Sequence, residues 1–292
     1  MLLSGACSTT PAKVPSPTIS AWQVPSAQTS GSESAAEQLP LQQYMLMGRD
    51  RETVVRAHTV LTQKCMERQG FKVTLPKPVP EAGSSVDLAS RRYGLNSLSD
   101  AKQFGFHTAD DTPEIVAGRA ASDEFNATLT PAQQKALGGE PVSSTERFRE
   151  GCLGEADKTL MEGTTQTHFA GLGLSPIVRS VNLDPRATDS PKTTTGLKAF
   201  AACMSAAGYP EVADPREAPR KYLGADAVTP DETKAAVTQF ECQESSGVTK
   251  AMREAETTFQ RAAIDANPEG FATVKGELAT LVRHASEVTT NG

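Results

Sequence analysis

Residues 64–71 read KCMERQGF, and residues 202–209 read ACMSAAGY. The shared frame is Cys-Met, three residues, Gly, aromatic. As chemistry, it offers a thiol or a metal ligand twice. As mechanics, it is a helix end. If Gly70 is the left-handed residue just past a helix, Met66 and Phe71 stand at the spacing where a Schellman cap closes on a hydrophobic contact. Met204, Gly208 and Tyr209 stand at the same spacing. Each frame then becomes a capped terminus with a cysteine one step before the Met.

The residues leading into the first frame agree. Val54, His58, Leu61 and Cys65 recur at spacings of four, three and four, which is one helical face. Cys65 and His58 therefore point inward, His58 as a packed, hydrogen-bonded residue. Helix starts are punctuated elsewhere. Thr130-Pro131-Ala132-Gln133, Asp214-Pro215-Arg216-Glu217 and Thr229-Pro230-Asp231-Glu232 each read as a capping box with proline at the first helical position. Ser190-Pro191 and Asn267-Pro268 are simpler versions. Strict apolar alternation never lasts long enough to mark a strand. The pattern predicts a mainly α chain, an irregular helical bundle with long loops and two disulfide-stapled halves. Helices are expected near 50–69, 99–104, 131–137, 145–162, 191–207, 215–222, 230–265 and 268–287. The connections 71–97 and 105–129 are expected to be irregular. Within 230–265, Val237, Phe240, Val248, Met252, Ala255 and Phe259 read as the inward stripe. Cys242 falls beside it, and Ser245-Ser246-Gly247 reads as a bend.

The chain has 292 residues, 38% hydrophobic and 22% charged, with one Trp. A core of this composition leans on Ala, Val, Leu and Met. The net charge of −6 argues against nucleic acid, whose phosphates call for clustered Lys and Arg. No apolar run approaches the ~18–20 residues of a membrane span.

The chain opens MLLSGACSTTPAK. Leu3-Ser4-Gly5-Ala6-Cys7 resembles a bacterial lipobox, with small residues before a cysteine whose thiol would carry the lipid. Only six residues precede Cys7 and none is basic, so residues 1–7 read as a truncated lipoprotein signal that lacks the basic start and longer apolar stretch of a full one. A lipidated Cys7 would anchor the chain at the outer face of the cell membrane without spanning it. Residues 8–36, rich in Ser, Thr, Pro, Ala and Gln, read as a flexible tether with a reach of roughly 30 Å. Residues 37–165 and 166–292 then form two helical halves.

Beyond Cys7 there are Cys65, Cys152, Cys203 and Cys242. An even count in an exported chain points to disulfides, and four cysteines allow three connectivities. The repeated frame favours pairing within each half, Cys65 with Cys152 and Cys203 with Cys242. A zinc site would want ligands at short local spacing. Here the gaps are 87, 51 and 39 residues. Cys152 opens a predicted helix, where a thiol acidity is raised, but no base accompanies it.

No nucleophile elbow, phosphate-binding loop or metalloprotease motif is present. Gly171-Leu172-Gly173-Leu174-Ser175 reads as a linker. His168 and His284 show no evident partner. The most aromatic stretch supplies the candidate ligand-binding residues Tyr93, Phe104, Phe106 and His107. No metal or cofactor is predicted.

The pieces in their order resemble a family: the exported, disulfide-bearing lipoproteins of actinobacteria, of the Streptomyces type. They are Leu39-Pro40-Leu41 with Tyr44, Cys65-Met66 with Gly70-Phe71, Arg92-Tyr93-Gly94-Leu95, Phe104-Gly105-Phe106-His107, and Gly151-Cys152 with Glu155-Ala156. The second half adds Cys203-Met204 with Gly208-Tyr209, then Asp214-Pro215 and Cys242. The family tends to have Tyr-Gly-Tyr-His at 104–107, and Phe200 stands where it often has Trp. The resemblance implies an acylated envelope protein and no particular activity.

The expectation is therefore a non-enzymatic lipoprotein, held to the membrane by its lipid, with a structural or interaction role in the cell envelope. Its partners would be envelope proteins, as an accessory to a transport or sensing complex, or the cell wall. The alternative is a lipoprotein that binds a small molecule or cell-wall fragment. A hydrolase would need paired carboxylates or a Ser/His pair brought into one cleft.

Overall fold

Helices dominate because the chain carries repeated cap-and-proline starts and apolar residues at helical spacing, and the described residues contain no strand. The computed structural model describes residues 39–78, 91–107, 113–139, 150–165, 175–222 and 227–290. All of them belong to one unit, Gln38–Gly292. Cys7, the lipobox-like segment and the tether lie outside the described residues.

Among the described residues ten helices follow one another: α1 (Gly48–Arg68), α2 (Leu98–Phe104), α3 (Pro113–Thr128), α4 (Pro131–Gly138), α5 (Gly151–Leu160), α6 (Pro176–Asn182), α7 (Pro191–Ala206), α8 (Pro230–Ser246), α9 (Val248–Ala266) and α10 (Pro268–Thr290). Short 3₁₀ turns sit at Pro40–Tyr44, Pro185–Thr188 and Arg220–Tyr222.

The two frames close their helices in the same way. Phe71 N donates to Met66 O at 3.0 Å and Gly70 N to Glu67 O at 2.9 Å; Tyr209 N donates to Met204 O at 2.9 Å and Gly208 N to Ser205 O at 3.1 Å. These are the two bonds of a Schellman cap. Gly70 and Gly208 have φ of 85° and 94°, a conformation in which a side chain is strained. Met66 and Met204 are fully buried, with Phe71 and Tyr209 packed in the same clusters.

The cysteine before each Met is bonded to a later helix. Cys65 joins Cys152, tying the end of α1 to the start of α5 with Cα atoms 5.4 Å apart. Cys203 joins Cys242, tying the end of α7 to the end of α8 at 5.7 Å. The two stapled segments share one core rather than forming separate bodies. The helix α10 packs on α1, α7 packs on both α8 and α9, and α2 packs on α8. The main cluster runs from Leu41, Leu46 and Val54 through Phe200, Met204 and Met252 to Phe271 and Leu281. It is built on aliphatic and Met side chains with few rings.

Caps account for several starts. Thr130 and Gln133 form a reciprocal capping box. Ser190 accepts from Thr193 N at 3.0 Å, and Asn267 accepts from Gly270 N at 3.0 Å. At α8 only half of the box forms. Thr229 accepts from Glu232 N at 3.2 Å, while the buried Glu232 carboxylate accepts from Phe106 N at 2.9 Å instead.

Three expectations about the helices are corrected. The predicted helix 215–222 is a turn with 3₁₀ geometry only at Arg220–Tyr222. Asp214 accepts from Arg216 N at 2.9 Å, two residues on, which is an Asx turn. Pro219 has no N–H to offer the Pro215 carbonyl, and Gln239 Nε2 supplies that bond at 2.9 Å. The single helix 230–265 is two helices, because Gly247 takes a left-handed conformation between them. The connection 105–129 contains α3, which begins at a proline like its neighbours. Residues 171–174 of the expected linker lie outside the described residues; Ser175 caps α6, a helix not among those expected, accepting from Val178 N at 3.3 Å. Of the predicted helix 145–162, the described part is α5.

Buried polar side chains secure the non-helical segments. Gln243 Oε1 accepts from Leu95 N and its Nε2 donates to Leu95 O, both at 3.0 Å. Gln260 Oε1 accepts from Leu41 N at 3.0 Å. Gln239 holds the carbonyls of Pro215 and Glu217. Backbone groups buried outside helices need such partners, and α8 and α9 supply them. The inward face of α8 is consequently Glu232, Ala235, Ala236, Gln239, Cys242 and Gln243, and that of α9 is Val248, Ala251, Met252, Glu256 and Gln260. Of the expected stripe, Val248 and Met252 lie on this buried face, Val237 and Phe240 are half-buried against Leu95, Ala101 and Ala236, and Ala255 and Phe259 are only half-buried; Cys242, expected beside the stripe, is on the buried face itself.

Candidate functional site

Met252, Glu256 and Gln260 succeed one another at one-turn spacing on α9, so all three share its buried face. Glu256 is fully buried, and its carboxylate is enclosed by donors. Arg92 Nε donates to Oε2 at 2.7 Å and Arg92 Nη2 to Oε1 at 2.5 Å. Tyr93 Oη donates to Oε2 at 2.7 Å, and Gln260 Nε2 to Oε1 at 2.7 Å. Arg92 Nη2 also donates to the Asn182 carbonyl at 2.9 Å, which ties the turn at residues 91–94 to the end of α6. Burial, then the adjacent Glu256 charge and hydrogen bond, push the Tyr93 phenol well above its ordinary value.

The turn packs closely on α8 and the Asp214 turn because residue 94 is a glycine. Its φ is 116°, and a Cβ there would stand 2.5 Å from the Pro215 carbonyl and 2.7 Å from Gln243 Oε1.

Above this network opens a cleft of ≈ 230 Å³, with Arg92, Tyr93 and Glu256 on its floor and Asn182, Asp184 and Arg216 on its walls. Leu183, Pro185 and Ala187 form an apolar side. Asp184 accepts from Arg186 N and Nε, both at 2.9 Å, and the Arg186 bonds hold its carboxyl below the usual range. Asp214 pairs likewise with Arg216, Oδ1 to Nε at 2.9 Å. Burial raises that carboxyl, but the Arg216 bonds outweigh it and leave it below the usual range.

The four predicted ligand residues divide between two places. Tyr93 lies in the cleft floor. Phe106 stacks on Tyr222 with ring centroids 5.7 Å apart, and His107 Nε2 stands 3.6 Å from Glu232 Oε1. These two belong to the packing of α2 on α8. Phe104 ends α2 and is half-buried, its carbonyl accepting from His107 N at 2.8 Å. Arg92, Asn182, Arg216, Glu256 and Gln260 were not singled out by sequence. The signal available was the spacing of Met252, Glu256 and Gln260, which puts two polar residues on an apolar face.

The other histidines take structural positions. His58 Nε2 lies 3.2 Å from Asp157 Oδ1 between α1 and α5. His284, read as having no evident partner, has its Nδ1 3.0 Å from the Leu160 carbonyl. His168 is outside the described residues. Among the described residues no group of three or more His, Cys, Asp or Glu is placed to hold a metal ion, and no helix is long and apolar enough to cross a membrane.

Set against known protein families, curated proteins and solved structures, the chain matches none.

Proposed function

We propose that the chain is a lipid-anchored protein of the outer face of a bacterial cell membrane, in which a non-enzymatic helical body provides an interaction surface in the envelope. The observation that carries this reading is the pairing of all four body cysteines as Cys65–Cys152 and Cys203–Cys242. Such bonds persist where the surroundings are oxidising. Both stand at capped helix ends, where they fasten elements of the fold.

Three further points support it. The lipobox-like Leu3–Cys7 supplies an acylation site. The ordered pieces from Leu39 to Cys242 resemble the Streptomyces-type actinobacterial lipoproteins. Glu256 and Glu232, buried carboxylates of the kind that acid–base chemistry would use, are instead engaged by Arg92 and Tyr93 and by the Phe106 amide. The partner is an envelope protein, to which this chain is accessory in transport or sensing. Chemical crosslinking on intact cells, followed by purification from membranes, tests the proposal. Repeated recovery of one envelope complex is expected. Repeated recovery of the protein alone contradicts it.

A further inference from the structure

We infer that the cleft between the 91–94 turn, the end of α6 and the Asp214 turn binds a small zwitterion, of the size of an amino acid or dipeptide, through separate anion and ammonium contacts.

The size comes first. At ≈ 230 Å³ the cleft is smaller than the roughly 300–1,000 Å³ of sites for drug-sized ligands. It suits a molecule of about one or two residues.

The charges come next. Every ionised group at the cleft already has an opposite partner: Arg92 with Glu256, Arg216 with Asp214, and Asp184 with Arg186. A bare cation or anion would disturb this balance, whereas a zwitterion leaves it intact. Donors remain on the positive side. Arg92 and Arg216 each use Nε and Nη2 in their ion pairs, which leaves both Nη1 groups to meet a carboxylate. The Arg216 side chain is 44% exposed and is the more accessible of the two.

An acceptor remains on the other side. The Asn182 side-chain oxygen is buried at the cleft wall and has no hydrogen-bond partner among the described residues; the residue is only 9% exposed. A buried amide oxygen without a partner is costly; a turn of the Asn182 side chain toward the cleft gives it a ligand ammonium as donor, with the Asp184 carboxylate adding charge on the same wall. The rim is apolar. Leu183 is 64% exposed, and beside Pro185 it offers a contact for an aliphatic side chain. The inference is independent of where the protein resides, because none of these groups involves the N-terminal segment.

Calorimetric titration of the full chain with leucine, alanyl-leucine, N-acetylleucine and leucinamide tests it. Leucine or the dipeptide is expected to bind saturably at one site, with blocking of either end weakening binding at least about tenfold. Arg216→Gln is expected to weaken it by a similar factor, and so is Leu183→Asp, whose exposed side chain leaves folding unaffected. Failure of both zwitterions to saturate the protein by about 10 mM would overturn the inference. So would equal binding of the blocked forms, or binding unchanged in both variants.

Discussion

Arg92 and Glu256 lie 164 positions apart and meet as a two-pronged ion pair, Nε to Oε2 at 2.7 Å and Nη2 to Oε1 at 2.5 Å. Glu256 is sealed from solvent while Arg92 keeps 21% of its side chain exposed. Removing the arginine alone leaves a buried carboxylate short of donors. Arg92→Ala is expected to cost about 3–5 kcal/mol of stability, read by urea unfolding. The double variant Arg92→Met/Glu256→Met is expected to lose at least about 1 kcal/mol less than the two single losses combined, as coupled groups do.

Gln243 illustrates a second kind of dependence. Its amide satisfies both backbone groups of Leu95. Gln243→Leu keeps the volume and strands both groups, at an expected cost of about 2–4 kcal/mol. Amide hydrogen exchange at Leu95 is expected to accelerate more than at residues of α10.

Two helical glycines separate packing from propensity. A Cβ on Gly196 would stand 2.9 Å from Val248 Cα, where α7 meets α9, whereas Gly276 on α10 faces open space. Gly276→Ala is expected to raise stability by up to about 1 kcal/mol. Gly196→Ala is expected to lower it by about 1–3 kcal/mol, because the helices must separate. Thermal unfolding of the two variants gives the opposite signs directly.

Stability is expected to fall at both ends of the pH scale, for different reasons. The folded Tyr93 phenol is held above its ordinary value of 10.0, so it keeps its proton where the unfolded chain releases it. Its contribution is whole below that value and is lost as pH rises beyond it. Asp214 is held below its ordinary 3.8, so its contribution is whole above that value and is lost as pH falls through the lower one. Urea unfolding across pH checks this. Tyr93→Phe removes part of the alkaline loss, and Asp214→Asn makes the acid limb shallower.

Capping chemistry was the most legible part of the sequence. The Met66–Phe71 and Met204–Tyr209 spacings and the Thr130 box describe local geometry, which the residues near a helix end determine; the cysteine pairing spans 87 and 39 positions and was suggested only by the repeat of the frame. Asp214-Pro215-Arg216-Glu217 has the same lettering as a helix start, yet it makes a turn, since Pro219 interrupts the ladder and Gln239, far along the chain, takes the freed carbonyl. The cleft was illegible for a related reason. Glu256, Gln260 and Gln243 look like solvent-facing positions until the backbone they serve is placed beside them. Of its residues, sequence reading picked out only Tyr93.

The proposed exported body is held by a lipid and fastened by two disulfides. Mass spectrometry of non-reduced peptides from the membrane fraction tests it most directly. An acylated peptide carrying Cys7 is expected, together with linked peptides joining Cys65 to Cys152 and Cys203 to Cys242. Unmodified Cys7 in a soluble fraction, or free thiols at the four body cysteines, would contradict it.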